Sequence, residues 1–98
     1  MQDFDTALTT FIAGCQEIID LQNLAIPATL VNVGGRRYRK IAKAEYGKVS
    51  SVYCFVDTTN GNVLKPASWK APAKHARGNI FDNHNGLRLM SWTGPAYL

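Results

Sequence analysis

Residues 49–57 read Val49-Ser50-Ser51-Val52-Tyr53-Cys54-Phe55-Val56-Asp57. In an extended chain Val52, Cys54 and Val56 share one side, and Tyr53 and Phe55 share the other. Both sides are apolar, which predicts a central strand covered on both faces. Thr58-Thr59-Asn60-Gly61 follows as a turn, with Gly61 free to take a left-handed position. Residues 62–65 return as the partner strand of a hairpin. Upstream, residues 29–33 are β-branched and apolar, hence strand-forming. Gly34-Gly35 supplies a hairpin turn. Residues 36–42 continue as a strand with Arg37, Arg39 and Ile41 on one side. A second break spans residues 44–48, centred on Gly47.

The period changes at the N-terminus. Phe4, Leu8, Phe11, Ile12, Cys15, Ile18 and Ile19 recur at spacings of three and four. This predicts a helix over residues 4–22 with one apolar stripe for the core. Asp3 suits the N-cap, and Asp5 suits the positive end of the helix dipole. After Pro66 regular periodicity stops, and Pro66 and Pro72 argue against a ladder. Residues 66–86 are expected to be a long irregular loop, with one helical turn at 73–77 and an apolar anchor at Ile80-Phe81. Residues 87–92 form a last edge strand, and a tail ending in Tyr97-Leu98 is apolar enough to dock. The fold expected is α+β: one N-terminal helix packed on an antiparallel sheet of about four strands, a single domain over residues 1–98. The length of 98 residues excludes a TIM barrel or a complete dinucleotide-binding domain.

Charge is polarised along the chain. Residues 1–30 carry Asp3, Asp5, Glu17 and Asp20 and no Lys or Arg. Residues 36–77 hold nearly all the cations, with only Glu45 and Asp57 opposing them. A basic middle suits a polyanionic partner, and it equally suits a solvated face. No run is apolar enough to span a bilayer, and the N-terminus is not a secretory signal. Cys15 and Cys54 sit in unrelated apolar patterns and read as buried thiols of a reducing compartment. A cytoplasmic location is expected.

Residues 65–82 read KPASWKAPAKHARGNIFD. Lys65, Lys70, Lys74, His75 and Arg77 surround Trp69, and Asn79 follows. Cations packed around an indole suit a ligand that is both anionic and aromatic: Lys and Arg for phosphate, Trp for a base. In a helical 71–77, Lys70, Lys74 and Arg77 would share one side. The competing reading has Trp69 plugging the core and the cations facing water. Arg37 and Arg39 on their strand could track a nucleic-acid backbone, or protect an edge strand from aggregation.

Strong catalytic motifs are absent. There is no P-loop and no dinucleotide fingerprint. Cys15, Cys54, His75 and His84 lack zinc spacing, so no metal and no cofactor are expected. The 82–86 loop resembles a calcium loop superficially, but Thr93 stands where the closing Glu belongs. One metal-independent option is a phosphodiesterase with His75 and His84 as base and acid and Lys74 as the stabilising cation.

The stretch Tyr53-Cys54-Phe55-Val56-Asp57, then Gly61 and Val63, then Lys65 through Asp82, resembles a group of small uncharacterised proteins of tailed bacteriophages. The resemblance covers residues 49–98 and brings no activity. It implies a phage context, synthesis in a bacterial cytoplasm, and a role in counter-defence, takeover of host nucleic-acid processes or the virion. The expected function is binding of a phosphate-bearing ligand, a nucleotide (as in sequestration of a nucleotide immune signal) or single-stranded nucleic acid. The alternative is a virion or assembly protein. A homo-oligomer is expected in either case.

Overall fold

A computed structural model describes residues 3–96; the expectation for Tyr97 and Leu98 lies outside them. Helix α1 (Phe4–Asp20) is followed by strands β1 (Ala28–Gly34), β2 (Tyr38–Glu45), β3 (Lys48–Asp57), β4 (Asn62–Pro66) and β5 (Pro72–Asn79). Two short strands, β6 (Met90–Ser91) and β7 (Gly94–Pro95), close the chain. The first five strands form one antiparallel meander in sequence order. The architecture is α+β: one helix on one face of a five-stranded sheet.

The helix begins where Asp3 accepts the Thr6 amide at 2.7 Å, which satisfies one of the donors left open at a helix start. It buries Ala7, Leu8, Phe11, Cys15 and Ile19. These meet Leu30 of β1, Ile41 of β2, Cys54 and Val56 of β3, Val63 of β4, and Ile80 in a single core. The helix stops at Asp20, two residues short of the expected 4–22, and Asn23 takes a left-handed conformation just beyond (φ 55°).

Strand β3 is central, as its composition predicts, but its alternation is broken. Tyr53 is the extra residue between the Ala42–Val52 and Ile41–Cys54 pairs. Two consecutive residues therefore turn to the same side, and Tyr53 joins Cys54 in the helix-side core. A second extra residue, Ser50, lies between the Lys43–Ser51 and Ala44–Val49 pairs. The turn between β2 and β3 is tighter than the break expected over 44–48: only Tyr46 and Gly47 lie outside the strands, both at positive φ (52° and 78°).

The segment 66–86 is not one irregular loop. Residues 72–79 form β5, with no helical turn at 73–77. Proline is tolerated here because β5 is an edge strand and Pro72 is its first residue, where no ladder amide is required. Residues 67–71 close the β4–β5 hairpin: Ala67 and Ser68 donate their amides to the Ala71 carbonyl, and the Ser68 hydroxyl accepts from Lys70 and Ala71. Trp69 is thereby held at a hairpin tip. Residues 87–92 do not extend the sheet. Only Met90 and Ser91 are extended, and they pair with Pro95 and Gly94 in a separate two-stranded ladder.

Strand β2 lies between β1 and β3, so the edge-protection reading of Arg37 and Arg39 is wrong. The edges are β1 and β5. Lys74 and His75 stand exposed on β5, in keeping with the cations common on exposed edges. On β1 a side chain does the work of a strand. The Gln16 amide donates to the Ala28 carbonyl at 3.0 Å and accepts from the Leu30 amide at 2.8 Å.

The second face of the sheet carries no second layer, contrary to the expectation for β3. Its residues include Thr29, Val31 and Val33 of β1, Tyr38, Lys40, Ala42 and Ala44 of β2, Val49, Val52, Phe55 and Asp57 of β3, and Leu64 of β4. Ala42, Phe55 and Leu64 are buried yet stand apart from the helix-side core.

Candidate functional site

The open face has a basic, aromatic end. Phe55 forms its floor and is 2% exposed. The Tyr38 ring meets Phe55 edge-on, with centroids 6.4 Å apart. Lys40 stands opposite Phe55 in the ladder. Its Nζ lies 6.0 Å from the Phe55 centroid and 4.2 Å from the Trp69 centroid. Charge and ring at this separation attract, so Lys40 links the sheet to the β4–β5 hairpin tip. Trp69 remains 47% exposed, which leaves ring surface for a ligand. Beside this cluster opens a cleft of about 350 Å³ lined by Gly34, Gly35, Arg37, Tyr38, Lys40, Phe55 and Lys70, with Val33 at its β1 side.

Two local devices shape the cleft. Gly35 has φ 125°, and a Cβ there would collide with the Tyr38 carbonyl oxygen. Only glycine closes this hairpin so tightly. Arg37 precedes β2 rather than continuing it, and it bends over the Tyr38 ring with Cζ 5.1 Å from the centroid. Its Nε and Nη2 donate to the two carboxylate oxygens of Asp57, each at 3.2 Å. Asp57 Oδ1 also accepts from the Thr59 amide at 2.9 Å and the Thr59 hydroxyl at 2.6 Å. The guanidinium is thus held in place by an almost buried carboxylate.

Burial alone would raise the Asp57 pKa; the Arg37 and Thr59 bonds outweigh it and hold the carboxyl below its ordinary value. Asp3 and Asp82 are also lowered, each by hydrogen bonds to backbone amides, against burial. A carboxyl with a depressed folded pKa contributes stability above its unfolded pKa of about 4 and loses it as pH falls through the folded value. Stability is therefore expected to hold from neutral pH down to about pH 4 and to fall below that. Asp57→Asn should lower the urea midpoint at pH 7 and make the fall below pH 4 shallower than in the parent; identical acid limbs would contradict the role given to this carboxylate.

The residues singled out by sequence are distributed over three places. Lys70 and Arg37 line the cleft, and Trp69 stands beside it against Lys40. Lys65 and Arg77 instead hold the C-terminal segment: Lys65 Nζ donates to the Pro95 carbonyl at 3.1 Å, and Arg77 Nε to the Ala96 carbonyl at 3.2 Å. Asn79 bridges the Asn60 carbonyl and the Asn62 side chain, and its oxygen accepts from the Phe81 amide. Lys74 and His75 are exposed on β5, and His84 lies in the turn closed by Asp82. Neither histidine lines the cleft. Lys70, Lys74 and Arg77 do not share a helical side, because 72–79 is a strand. Arg39 does not pair with Arg37 on one face: it donates to the Gly35 carbonyl and braces the hairpin.

Tyr38, Lys40 and Phe55 are the site residues that sequence reasoning missed. Tyr38 and Lys40 do share a strand side in the sequence pattern, and that was the available signal. No group of His, Cys, Asp or Glu able to hold a metal occurs among the described residues. Burial pushes the Cys15 thiol up to about 12 and the Cys54 thiol well above its ordinary value. Neither is a nucleophile at neutral pH. Among the described residues no helix is long and apolar enough to cross a membrane.

Residues 4–98 match the model of a family of unknown function (DUF7717), and the chain belongs to that family. No curated protein and no solved structure matches it.

Proposed function

We propose that the open sheet face binds a nucleotide, with the base against the exposed surface of Trp69 and the phosphate among Lys40, Lys70 and Arg37. The observation that carries this is the Lys40 ammonium 4.2 Å from the indole centroid, at the mouth of a cleft that also receives Lys70 and Arg37. Stacking surface and phosphate donors are adjacent, and the one acid on this end, Asp57, is already paired with Arg37. The exposed acids Asp5, Glu17 and Asp20 lie on α1, on the other side of the sheet. The excess positive charge of the cleft is therefore that of Lys40 and Lys70, and no acid of α1 lies on that side to offset it. In the phage setting that the 49–98 resemblance implies, the binding would occur in the host cytoplasm and would serve to withhold a nucleotide signal or to occupy nucleic acid.

Native mass spectrometry against mono-, cyclic and oligonucleotides tests this reading. A discrete bound mass is expected, and for the oligonucleotides an affinity that falls as salt rises by a log–log slope of about −0.7 per phosphate neutralised. No bound mass across the panel would contradict it.

A further inference from the structure

The cleft at Trp69 has no roof, and the face it belongs to continues past it. Beyond Lys40 lies an apolar saddle with no charged side chain, surfaced by Val31 and Ala44, between which Ala42 is fully buried. Val31 and Val33 are 38% and 50% exposed. At the far end of β1 and β2 a second cleft of about 480 Å³ opens, lined by Pro27, Thr29, Val31, Ala44, Tyr46 and Gly47. Tyr46 is 80% exposed. It occupies a left-handed position in a two-residue turn, where Asn, Asp or Gly is the usual choice. A large ring held in water at a conformation that disfavours it has no part in the core.

We infer that the ligand of this face is a single-stranded polynucleotide, one that runs from Trp69 across the apolar saddle to a second base-stacking position at Tyr46. The inference rests on the nucleotide reading of the first cleft and extends it. From Lys40 along β2 to the turn residue Tyr46 is about 20 Å at the rise of a strand. A chain of three or four nucleotides bridges that distance, and a single nucleotide does not. The arrangement suits a polymer in three ways. Phosphate donors gather at one end. An apolar and aromatic surface, which bears bases of any sequence, continues from it. The face is shallow, whereas a free small molecule is usually enclosed over most of its surface. Strongly basic tracks grip the backbone along their length; here one anchored end and stacked bases predict short site size and weak sequence preference.

The test is fluorescence anisotropy with 5′-labelled oligothymidylates and oligouridylates of one to eight nucleotides, on the full chain and on Tyr46→Asn. Asparagine keeps the turn, because it accepts positive φ; the melting temperature verifies the fold. Affinity is expected to rise at least tenfold from one to four nucleotides and then level off. Tyr46→Asn is expected to weaken the four-nucleotide ligand about tenfold and to leave the mononucleotide unchanged. The thymidylate and uridylate series separate DNA from RNA as the source of the strand. Equal affinity at all lengths, with Tyr46→Asn neutral, would overturn the polynucleotide while leaving the nucleotide site at Trp69 standing. Absence of binding at every length would overturn both.

Discussion

Trp69→Ala is expected to weaken nucleotide binding about ten- to a hundredfold, with the melting temperature unchanged. The magnitude follows from stacking, which contributes about 1–3 kcal/mol per base where aromatic side chains have been removed. The separation of binding from stability follows from where Trp69 sits. It is at the tip of the β4–β5 hairpin, and the hairpin is closed by Ala67, Ser68 and Ala71 without the indole. Trp69 is 47% exposed and belongs to neither the helix-side core nor the floor of the cleft. The ring packs against the Lys40 ammonium. Losing it frees the ammonium, so some electrostatic affinity remains, and the residual binding should be more salt-sensitive than the parent's. Full affinity in Trp69→Ala would remove the indole from the site. A large drop in melting temperature would assign it to the core instead.

Tyr53→Ala is the substitution expected to do most damage to the fold, about 3–5 kcal/mol, the range found when a buried aromatic is cut to alanine. A domain of this size has only about 5–15 kcal/mol of stability in total, so the variant should be partly unfolded at 37 °C. Tyr53 is 1% exposed. Its ring is turned into the helix-side core by the β3 bulge, and its hydroxyl donates to the Ser91 carbonyl at 2.6 Å. That bond fastens the β6–β7 hairpin to the sheet. The same hairpin approaches so closely that a Cβ on Gly94 would lie 2.7 Å from the Tyr53 carbonyl oxygen. Tyr53→Phe separates the two contributions. It keeps the packing and strands the Ser91 carbonyl, at a cost of about 1–3 kcal/mol. Urea unfolding with constant slope gives both numbers. A Tyr53→Ala variant as stable as Tyr53→Phe would show that the ring contributes little.

The legible parts of this fold were those governed by local chemistry. The helix, its Asp3 cap, the Gly34-Gly35 and Gly61 turns and the apolar β3 each depend on residues within a few positions of one another. β5 was not legible, because its sequence carries two prolines nearby, no β-branched residue and several charges. It is a strand because β4 offers it a ladder, and as an edge strand it can carry Pro72 and exposed cations. The site was half legible for a related reason. The cluster around Trp69 pointed to the right hairpin tip but included Lys65, Arg77 and Asn79, which the fold uses to fasten its own backbone. Lys40 and Phe55 were missed through register. An unbroken ladder from the Glu45–Lys48 pair would set Lys40 against Tyr53; the bulges at Ser50 and Tyr53 set it against Phe55. A bulge leaves no reliable mark in one sequence, and a single extra residue changes which side chains meet.

The most direct measurement of the central claim is a two-dimensional amide NMR titration of the full chain with a four-nucleotide oligothymidylate. The account predicts shifts at Gly34, Gly35, Tyr38, Lys40, Phe55, Lys70 and the Trp69 indole, while the amides of α1 and the Trp92 indole stay in place. Shifts confined to α1, to β5 around Lys74 and His75, or to the β6–β7 hairpin would contradict it and move the site to another face of the molecule.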